Sequence, residues 1–565
     1  MRSLVVNGLW WASCLPGAAA FGRARRSLEK TQRTLLAAIL HRNRNTLFGR
    51  AHGFSSISGI EEYRRRVPTG DYEALRQEMD AMAGGAPDVL FRGRPTCFEP
   101  TSGSTGEGKL IPYSRALQKD LDAALSPWIG HLFLHHPALL RGRAYWSISP
   151  AAFERRRTAG GIPVGFENDT DYMNPYVRRL IPLVLAVPPE VAGIRDMDTF
   201  RYVTLAFLLK AKDLSLVSVW HPTFLTLLLD SLQDWGEPLA RDVGMGALAP
   251  STPLPSELEA RLNKAFGKPD PKRADEIDGL LRTLQTRRDG LYRKLWPRLR
   301  VISCWADAAA KGPAGELKAL FPAVEFQPKG LMATEGIVSV PVSKNNGATL
   351  AARSHFYEFL PESDVGEPLC GWQLERGARY EVVITTGGGL YRYRMGDTVR
   401  VTGFDRDCPV LEFTGRCGKV SDLYGEKLHE DHVASVIDRV LPIGESRPSF
   451  AMLAPEGPPD RYVLFLAGDE PPARNAMKEM EVKLEEGLAE NVHYAYCRRL
   501  GQLQGVRIRW IQGSGHSAMG RYLHERQQGG VRSGDVKPVF LESRRGWNAI
   551  LDPCEDPGFT GGNRT

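Results

Sequence analysis

A chain of 565 residues is longer than one hydrophobic core ordinarily serves, so two or more domains are expected. Apolar residues make up 42% and charged residues 25%, the balance of a water-soluble globular chain. The net charge of +7 comes from basic residues interleaved with acidic ones, apart from short runs such as Arg64 to Arg66 and Arg155 to Arg157; this excludes a nucleic-acid-binding face as the leading role.

In chain order, the apolar run Leu4 to Phe21 imitates a secretory signal, but it is read as a first helix packed through Trp10, Trp11 and Leu15. Pro16 and Gly17 interrupt that run, and no stretch is expected to span a bilayer. Leu28 to Phe48 has the spacing of an amphipathic helix. A short strand is expected over Gly108 to Pro112, with helices at Leu117 to Phe133, Thr199 to Ala211 and Thr223 to Leu232. Pro269 to Arg300 reads as charged and mostly helical. Strand and helix signals then alternate (Arg300 to Trp305, Gly315 to Leu320, Val324 to Gln327), as in a wound sheet with helices on its faces. From Glu381 the pattern turns to hairpins around Gly387-Gly388-Gly389. A smaller unit is expected beyond Gly415, with a helix at His429 to Val440, a hairpin at Phe450 to Leu466 and one long helix at Pro472 to Leu500. Met477, Met480, Leu484, Leu488, Val492 and Tyr496 recur in that helix at core spacing. The fold expected is α/β: a large N-terminal domain of wound sheets and helices (1–415) and a smaller mobile α+β C-terminal domain (416–565).

The eight cysteines are scattered without a CxxC pair, which points to reduced thiols and a cytoplasmic chain. His131 and His135 share a helix face with His136 beside them, and read as a half-buried surface rather than a metal site.

Three segments carry chemistry. In TSGSTGEGK (Thr101 to Lys109), five small residues in succession leave room for backbone N–H groups and hydroxyls to surround phosphate oxygens, and Lys109 adds a cation. The string also satisfies GxxxxGK, but Leu110 stands where a Walker loop places its magnesium-binding hydroxyl and Pro112 denies the following helix. In Gly330 to Gly336 a Thr334-Glu335 pair lies between glycines, suited to presenting a hydroxyl and a carboxylate to one ligand. In Tyr391 to Asp397, Asp397 follows a glycine in a hairpin region; it reads as a grip on ribose hydroxyls or as an ordinary turn aspartate.

The order and spacing of these segments, with Gly415-Arg416 after them, resemble the ANL superfamily of adenylate-forming enzymes. Gly108 replaces that superfamily's proline, and Leu331 and Met332 replace the tyrosine of its second signature. A narrower resemblance covers nearly the whole chain: it is similar to the auxin-responsive acyl-acid amido synthetase family of plants and its bacterial relatives. The carrying segments are NTLFGRAHGF (Asn45 to Phe54), TSGSTGEGKLIPYS (Thr101 to Ser114), LMATEG (Leu331 to Gly336) and YRYRMGDTVRVTGF (Tyr391 to Phe404). FTGR (Phe413 to Arg416), LYGEKL (Leu423 to Leu428), YAYCRRLGQL (Tyr494 to Leu503) and GDVKP (Gly534 to Pro538) follow in the same order.

The resemblance implies a ligase that uses ATP and Mg2+ to turn a small carboxylic acid into an acyl-adenylate, then joins it to an amino acid or other amine. Ser102, Ser104 and Thr105, with Lys109, would meet the triphosphate, Thr334 the α-phosphate, and Asp397 the ribose, with Arg416 at the hinge. Glu335 would hold the Mg2+, and Lys427 and Lys537 would be the cations of the small domain, Lys537 closing the adenylation site. Candidates for the acid pocket are Trp128, His131, Ser147 to Ser149 and Tyr172 to Asn174; the arginine that plant members place on the preceding helix has no equivalent between Ala124 and His136. A monomer is expected, and a CoA ligase or a non-catalytic relative are the alternatives.

Overall fold

The computed structural model describes all residues except 1, 101–108, 148–155, 166–174, 283–289, 343–346, 363–365, 417–419, 422, 425, 427, 442–446, 469, 513–514, 529–538 and 553–565. Ser102, Ser104, Thr105, Lys427 and Lys537 therefore lie outside the described residues, as do Tyr172 to Asn174. The chain forms two compact units that divide between Thr414 and Gly415.

The first unit opens with α1 (Arg2–Ala24), which runs unbroken through Pro16. By length and hydropathy alone α1 is apolar enough to cross a membrane, which corrects the expectation that no stretch would be. Trp10, Cys14 and Phe21 of α1 are nevertheless buried in the first unit's core, and Trp11 donates its indole N–H to Gly130 O at 3.2 Å. Leu15, expected to pack, is 45% exposed. The expected second helix ends early: α2 (Leu28–Asn43) stops where Thr46 caps a separate turn, Leu47–Ala51, by accepting from Gly49 N. There Phe48 stacks on Tyr391 with ring centroids 4.9 Å apart, so the Asn45 to Phe54 and Tyr391 to Phe404 segments pack on one another.

The glycine-loop segment is framed by an antiparallel pair, β1 (Cys97–Pro100) and β2 (Leu110–Tyr113), in which Pro100 lies opposite Leu110. The chain continues into α3 (Arg115–His135), capped by the Ser114 hydroxyl on Leu117 N. A four-stranded parallel sheet then forms from β3 (Arg143–Trp146), β4 (Leu214–Ser218), β5 (Val301–Cys304) and β6 (Glu325–Pro328), in that spatial order. Its inner strands are nearly continuously apolar because both faces are covered. Leu216 and Val301 face the core shared with α1 and α3, while Val217 and Ile302 face a second core of helices that includes Met197–Lys210 and Pro222–Asp230. Among the described residues of the segment read as mostly helical, two helices form, Pro271–Leu281 and Leu291–Leu295.

A two-stranded hairpin, β7 (Met332–Ala333) with β8 (Gly336–Ile337), precedes a seven-stranded antiparallel sheet. Four of its strands matter below: β9 (Phe356–Pro361), β10 (Arg379–Thr385), β11 (Tyr393–Asp405) and, beside β11, β12 (Cys408–Arg416).

In the second unit, Phe450–Glu456 pairs antiparallel with Arg461–Ala467, which pairs parallel with Arg507–Trp510. Alternate residues bury opposite faces: Leu453, Leu464 and Ile508 against Glu430–Val440 and Arg474–Leu488, Met452 and Phe465 against Gly515–Gln528. The single long helix expected over Pro472 to Leu500 is two, because Asn491 caps a new helix (Val492–Arg499) by accepting from His493 N and Tyr494 N. That rotation buries Tyr494 and leaves Tyr496 55% exposed.

Candidate active site

Parallel strands end with their side chains and backbone groups open toward one edge, the usual place for a ligand in an α/β sheet. At that edge stand Ser147 after β3, Trp220 after β4, Trp305 and Asp307 after β5, and Lys329 after β6. Asp307 is half-buried beside Glu412, and loss of solvent together with that neighbouring carboxylate pushes its carboxyl up to about 6. Its Oδ2 accepts from Phe413 N at 3.4 Å, tying the edge of the parallel sheet to β12. Thr414 and Thr398 meet through their hydroxyls at 3.0 Å, which places Asp397, one residue before Thr398, along the same seam.

The aim of Asp397 comes from an irregularity in the sheet. Val383 of β10 lies opposite Arg394 and Glu381 opposite Thr398, so the one residue between them, Val382, faces three on the other strand, Met395, Gly396 and Asp397. Gly396 takes up the bulge with φ of +71°, a conformation that side-chain-bearing residues rarely adopt. Asp397 is thus in a strand, 2% exposed, and not in the turn that one reading of the sequence allowed.

Thr334 and Glu335 form the tip of the β7–β8 hairpin, Thr334 half-buried and Glu335 7% exposed. Tyr113 at the end of β2 donates its hydroxyl to Thr334 O at 2.8 Å, so the strand leaving the glycine loop is tied to this tip. On the same strand pair, Leu110 N donates to the Tyr72 hydroxyl, and the Lys109 ammonium lies 5.7 Å from the centre of the Tyr72 ring. Below the tip, Ile337 N donates to His355 Nε2 at 3.2 Å, and a Cβ at position 336 would lie 2.5 Å from that nitrogen. Gly336 is therefore a packing requirement of the hairpin. Burial lowers the His355 pKa to about 3, so the ring is neutral with its proton on Nδ1. That side faces Asp120 Oδ2 of α3 at 3.9 Å. Asp120 accepts from Gly387 N at 2.8 Å, and burial raises its pKa to about 7.

The rest of the Tyr391 to Asp397 segment is structural. Tyr391 donates to Leu90 O, and Arg392 is clamped by Glu358 (2.9 Å and 3.2 Å) and by Val67 O at 2.8 Å, with Arg64 on the same carboxylate. In the second unit, Arg416 ends β12 half-buried, and Glu426 beside Lys427 is fully buried, accepting from Leu423 N, Tyr424 N and the Tyr462 hydroxyl.

Of the expected site residues, Lys109, Thr334, Glu335 and Asp397 belong to the first unit, and contacts through Tyr113, His355 and Asp307 link their segments. Sequence reasoning missed Asp120, Asp307, Lys329 and His355, since an isolated charged residue carries no local pattern. The only available signal was Asp307 falling just past the apolar strand Val301–Cys304. Among the described residues no group of His, Cys, Asp or Glu forms a metal site by itself. The six described cysteines are buried, and none is in a disulfide. The His131 and His135 rings sit 5.6 Å apart, and burial lowers the His131 pKa.

The GH3 family N-terminal domain matches residues 18–326 and the GH3 family central domain residues 348–416. Indole-3-acetic acid-amido synthetase GH3.2 of Arabidopsis thaliana is 26% identical over 449 residues, covering 73% of this chain and 78% of its own length. Probable indole-3-acetic acid-amido synthetase GH3.4 of Oryza sativa subsp. japonica is 25% identical, covering 84% of this chain and 80% of its own. The fold is shared with AtGH3.15 acyl acid amido synthetase in complex with 2,4-DB: TM-score 0.82 at 20% identity, over 96% of this chain and 95% of that one.

Proposed function

Since this chain belongs to the GH3 family, we propose that it is an ATP-dependent acyl-acid amido synthetase, activating a carboxylic acid as its adenylate and passing the acyl group to an amine. The observation that carries the reading is the linkage of the Thr334–Glu335 tip, through the Tyr113 hydroxyl, to the strand that leaves the hydroxyl-rich loop. In the first half-reaction a carboxylate oxygen attacks the α-phosphorus and the pyrophosphate departs. In the second the amine nitrogen attacks the acyl carbon and AMP departs, the amine's surplus proton going to solvent or base.

Both steps concentrate negative charge on phosphate oxygens, and preorganised donors and cations lower that cost most. The hydroxyls of Ser102, Ser104 and Thr105, with Lys109, serve the β- and γ-phosphates in this reading, and Thr334 the α-phosphate. Asp397, aimed by its bulge, accepts from the ribose hydroxyls. Lys537 and Lys427 supply cations for the separate half-reactions, and Arg416 lies at the start of the second unit. The donor set among the described residues suits Mg2+: a single buried carboxylate, Glu335, leaves the remaining positions to phosphate oxygens and water, as this small cation prefers. When bound, the ion neutralises phosphate charge. His355 and Gly336 fix the hairpin that presents Glu335. The substrates in this reading are a small acid and an amino acid or other amine, in the cytoplasm.

The test is a screen of acids against amino acids with ATP and Mg2+, reading pyrophosphate release and identifying products by mass, with a parallel arm given CoA. An amide formed only when both acid and amine are present supports the proposal. An acyl-CoA product with no amide, or no acid-dependent pyrophosphate, refutes it.

A further inference from the structure

Lys329 follows directly on β6 and is 3% exposed. Its ammonium donates to Ser218 Oγ at 2.7 Å and is enclosed by three indoles, with ring centroids of Trp220, Trp128 and Trp146 at 4.7, 5.1 and 5.9 Å. Trp128 is held in place from α3 by donating its own N–H to Gln327 Oε1 at 2.8 Å. Trp146 and Trp220 are only partly buried, so the enclosure lies at the sheet edge rather than deep in a core. Among the described residues no carboxylate pairs with this lysine, and burial pulls its pKa from 10.5 to about 7.

The surroundings hold further unused hydrogen-bonding capacity. Trp146, Ser218, Ser303 and Gln327 lie opposite one another in register across β3, β4, β5 and β6, forming one row on the face toward α3. In that row Ser303 Oγ is buried without a partner among the described residues, and so is Ser147 Oγ one residue past Trp146. Ser147 is fixed beside the row by its N–H to Ser218 O at 2.8 Å. A lysine ammonium has three donors and Ser218 takes one. A buried hydroxyl or N–H left unmade costs about 1–3 kcal/mol. A lysine short of partners inside an aromatic enclosure, with the unpartnered Ser303 hydroxyl in the row beside its Ser218 contact, therefore points to a ligand that completes them.

The direction of that ligand follows from the chain. Lys329 stands at the base of the connection whose tip is Thr334–Glu335, five residues on and at most about 17 Å away. Resting on the adenylation reading above, which puts the α-phosphate at Thr334 and so the carboxyl that attacks it beside the tip, we infer that the tryptophan-lined ledge at Lys329 binds the opposite end of the acid and selects planar acids carrying an oxygen there. That oxygen is a ring hydroxyl or a second carboxylate; the indole faces take the ring, and Lys329 and Ser303 take the oxygen.

The test uses matched acids of one length: 3-phenylpropionic acid, its 4-hydroxy analogue and its 4-carboxy analogue. Binding is read by quenching of tryptophan fluorescence without ATP, and activation by pyrophosphate release. Wild type is expected to favour one or both oxygenated acids at least tenfold in Kd and in kcat/KM. Lys329→Met is expected to erase that preference while binding the unsubstituted acid within about threefold, and Ser303→Ala, a milder change, to reduce it. Equal binding of all three acids by wild type, or a preference that survives in both variants, overturns the inference. If no acid supports pyrophosphate release, the adenylation reading fails, while the binding arm still decides whether Lys329 selects the oxygen.

Discussion

Replacing Lys329 with methionine gives a stability change whose size follows from burial. In the fold its pKa falls to about 7, while the unfolded chain keeps the ordinary 10.5. Between those values the unfolded chain carries a proton that the fold does not, so this group makes stability rise with pH across the window and costs most at neutral pH and below. At about 1.4 kcal/mol per pH unit, the cost is about 4 kcal/mol near pH 7.5 and about 1.5 kcal/mol near pH 9.5. Methionine fills a similar volume without the charge but loses the Ser218 hydrogen bond, about 1 kcal/mol. Lys329→Met is thus expected to be more stable than wild type by about 2–3 kcal/mol near pH 7.5 and by little or nothing near pH 9.5. Urea unfolding followed by tryptophan fluorescence reads the right unit, since nine of the eleven tryptophans precede Gly415. Working with the difference between the two proteins cancels every other titrating group. A difference that stays constant over that range, or a variant less stable at both ends, refutes the assignment of a buried, unpaired lysine.

Asp120 obeys the opposite sign: an acid whose pKa is raised by burial from 3.8 to about 7 contributes stability below pH 4 that is lost as pH rises to 7. Asp120→Asn should therefore be more stable than wild type by about 2 kcal/mol or more near pH 8 and equal to it near pH 4, measured by urea midpoints. Glu358→Ala leaves Arg64 and Arg392 buried without their shared carboxylate and is expected to destabilise the first unit by about 3–5 kcal/mol, read the same way. Gly336→Ala drives a methyl group against His355 Nε2 and should lower both stability, by about 1–3 kcal/mol, and pyrophosphate release; adding His355→Ala should restore part of the stability. Glu335→Ala should abolish adenylation with no change in circular dichroism.

The elements that were legible in the sequence are those whose periodicity is also their burial pattern. The strand Val301–Cys304 and helix Met197–Lys210 each sit within a few residues of their expected limits, because the apolar runs that define them are the faces they bury. Boundaries set by a cap were not legible: Thr46 and Asn491 each start a new helix by accepting a backbone N–H, and neither changes the hydrophobic pattern around it. The chemistry-bearing motifs were visible as strings, yet much of each string is scaffold. Tyr391 and Arg392 stack on Phe48 and clamp Glu358, so the segment is preserved in form by packing while only Asp397 is aimed by the bulge. Lys329 was illegible because its partners, Ser218 and three tryptophans, come from three separate parts of the chain: α3, β3 and the end of β4.

The central claim is activation of a carboxyl group by attack on the α-phosphorus of ATP, and isotope transfer tests it most directly. With an acid labelled in both carboxyl oxygens with oxygen-18, an amine and ATP, the account predicts one labelled oxygen in the AMP released and none in pyrophosphate. Label appearing in inorganic phosphate with ADP as the nucleotide product, as an acyl-phosphate route requires, would contradict it.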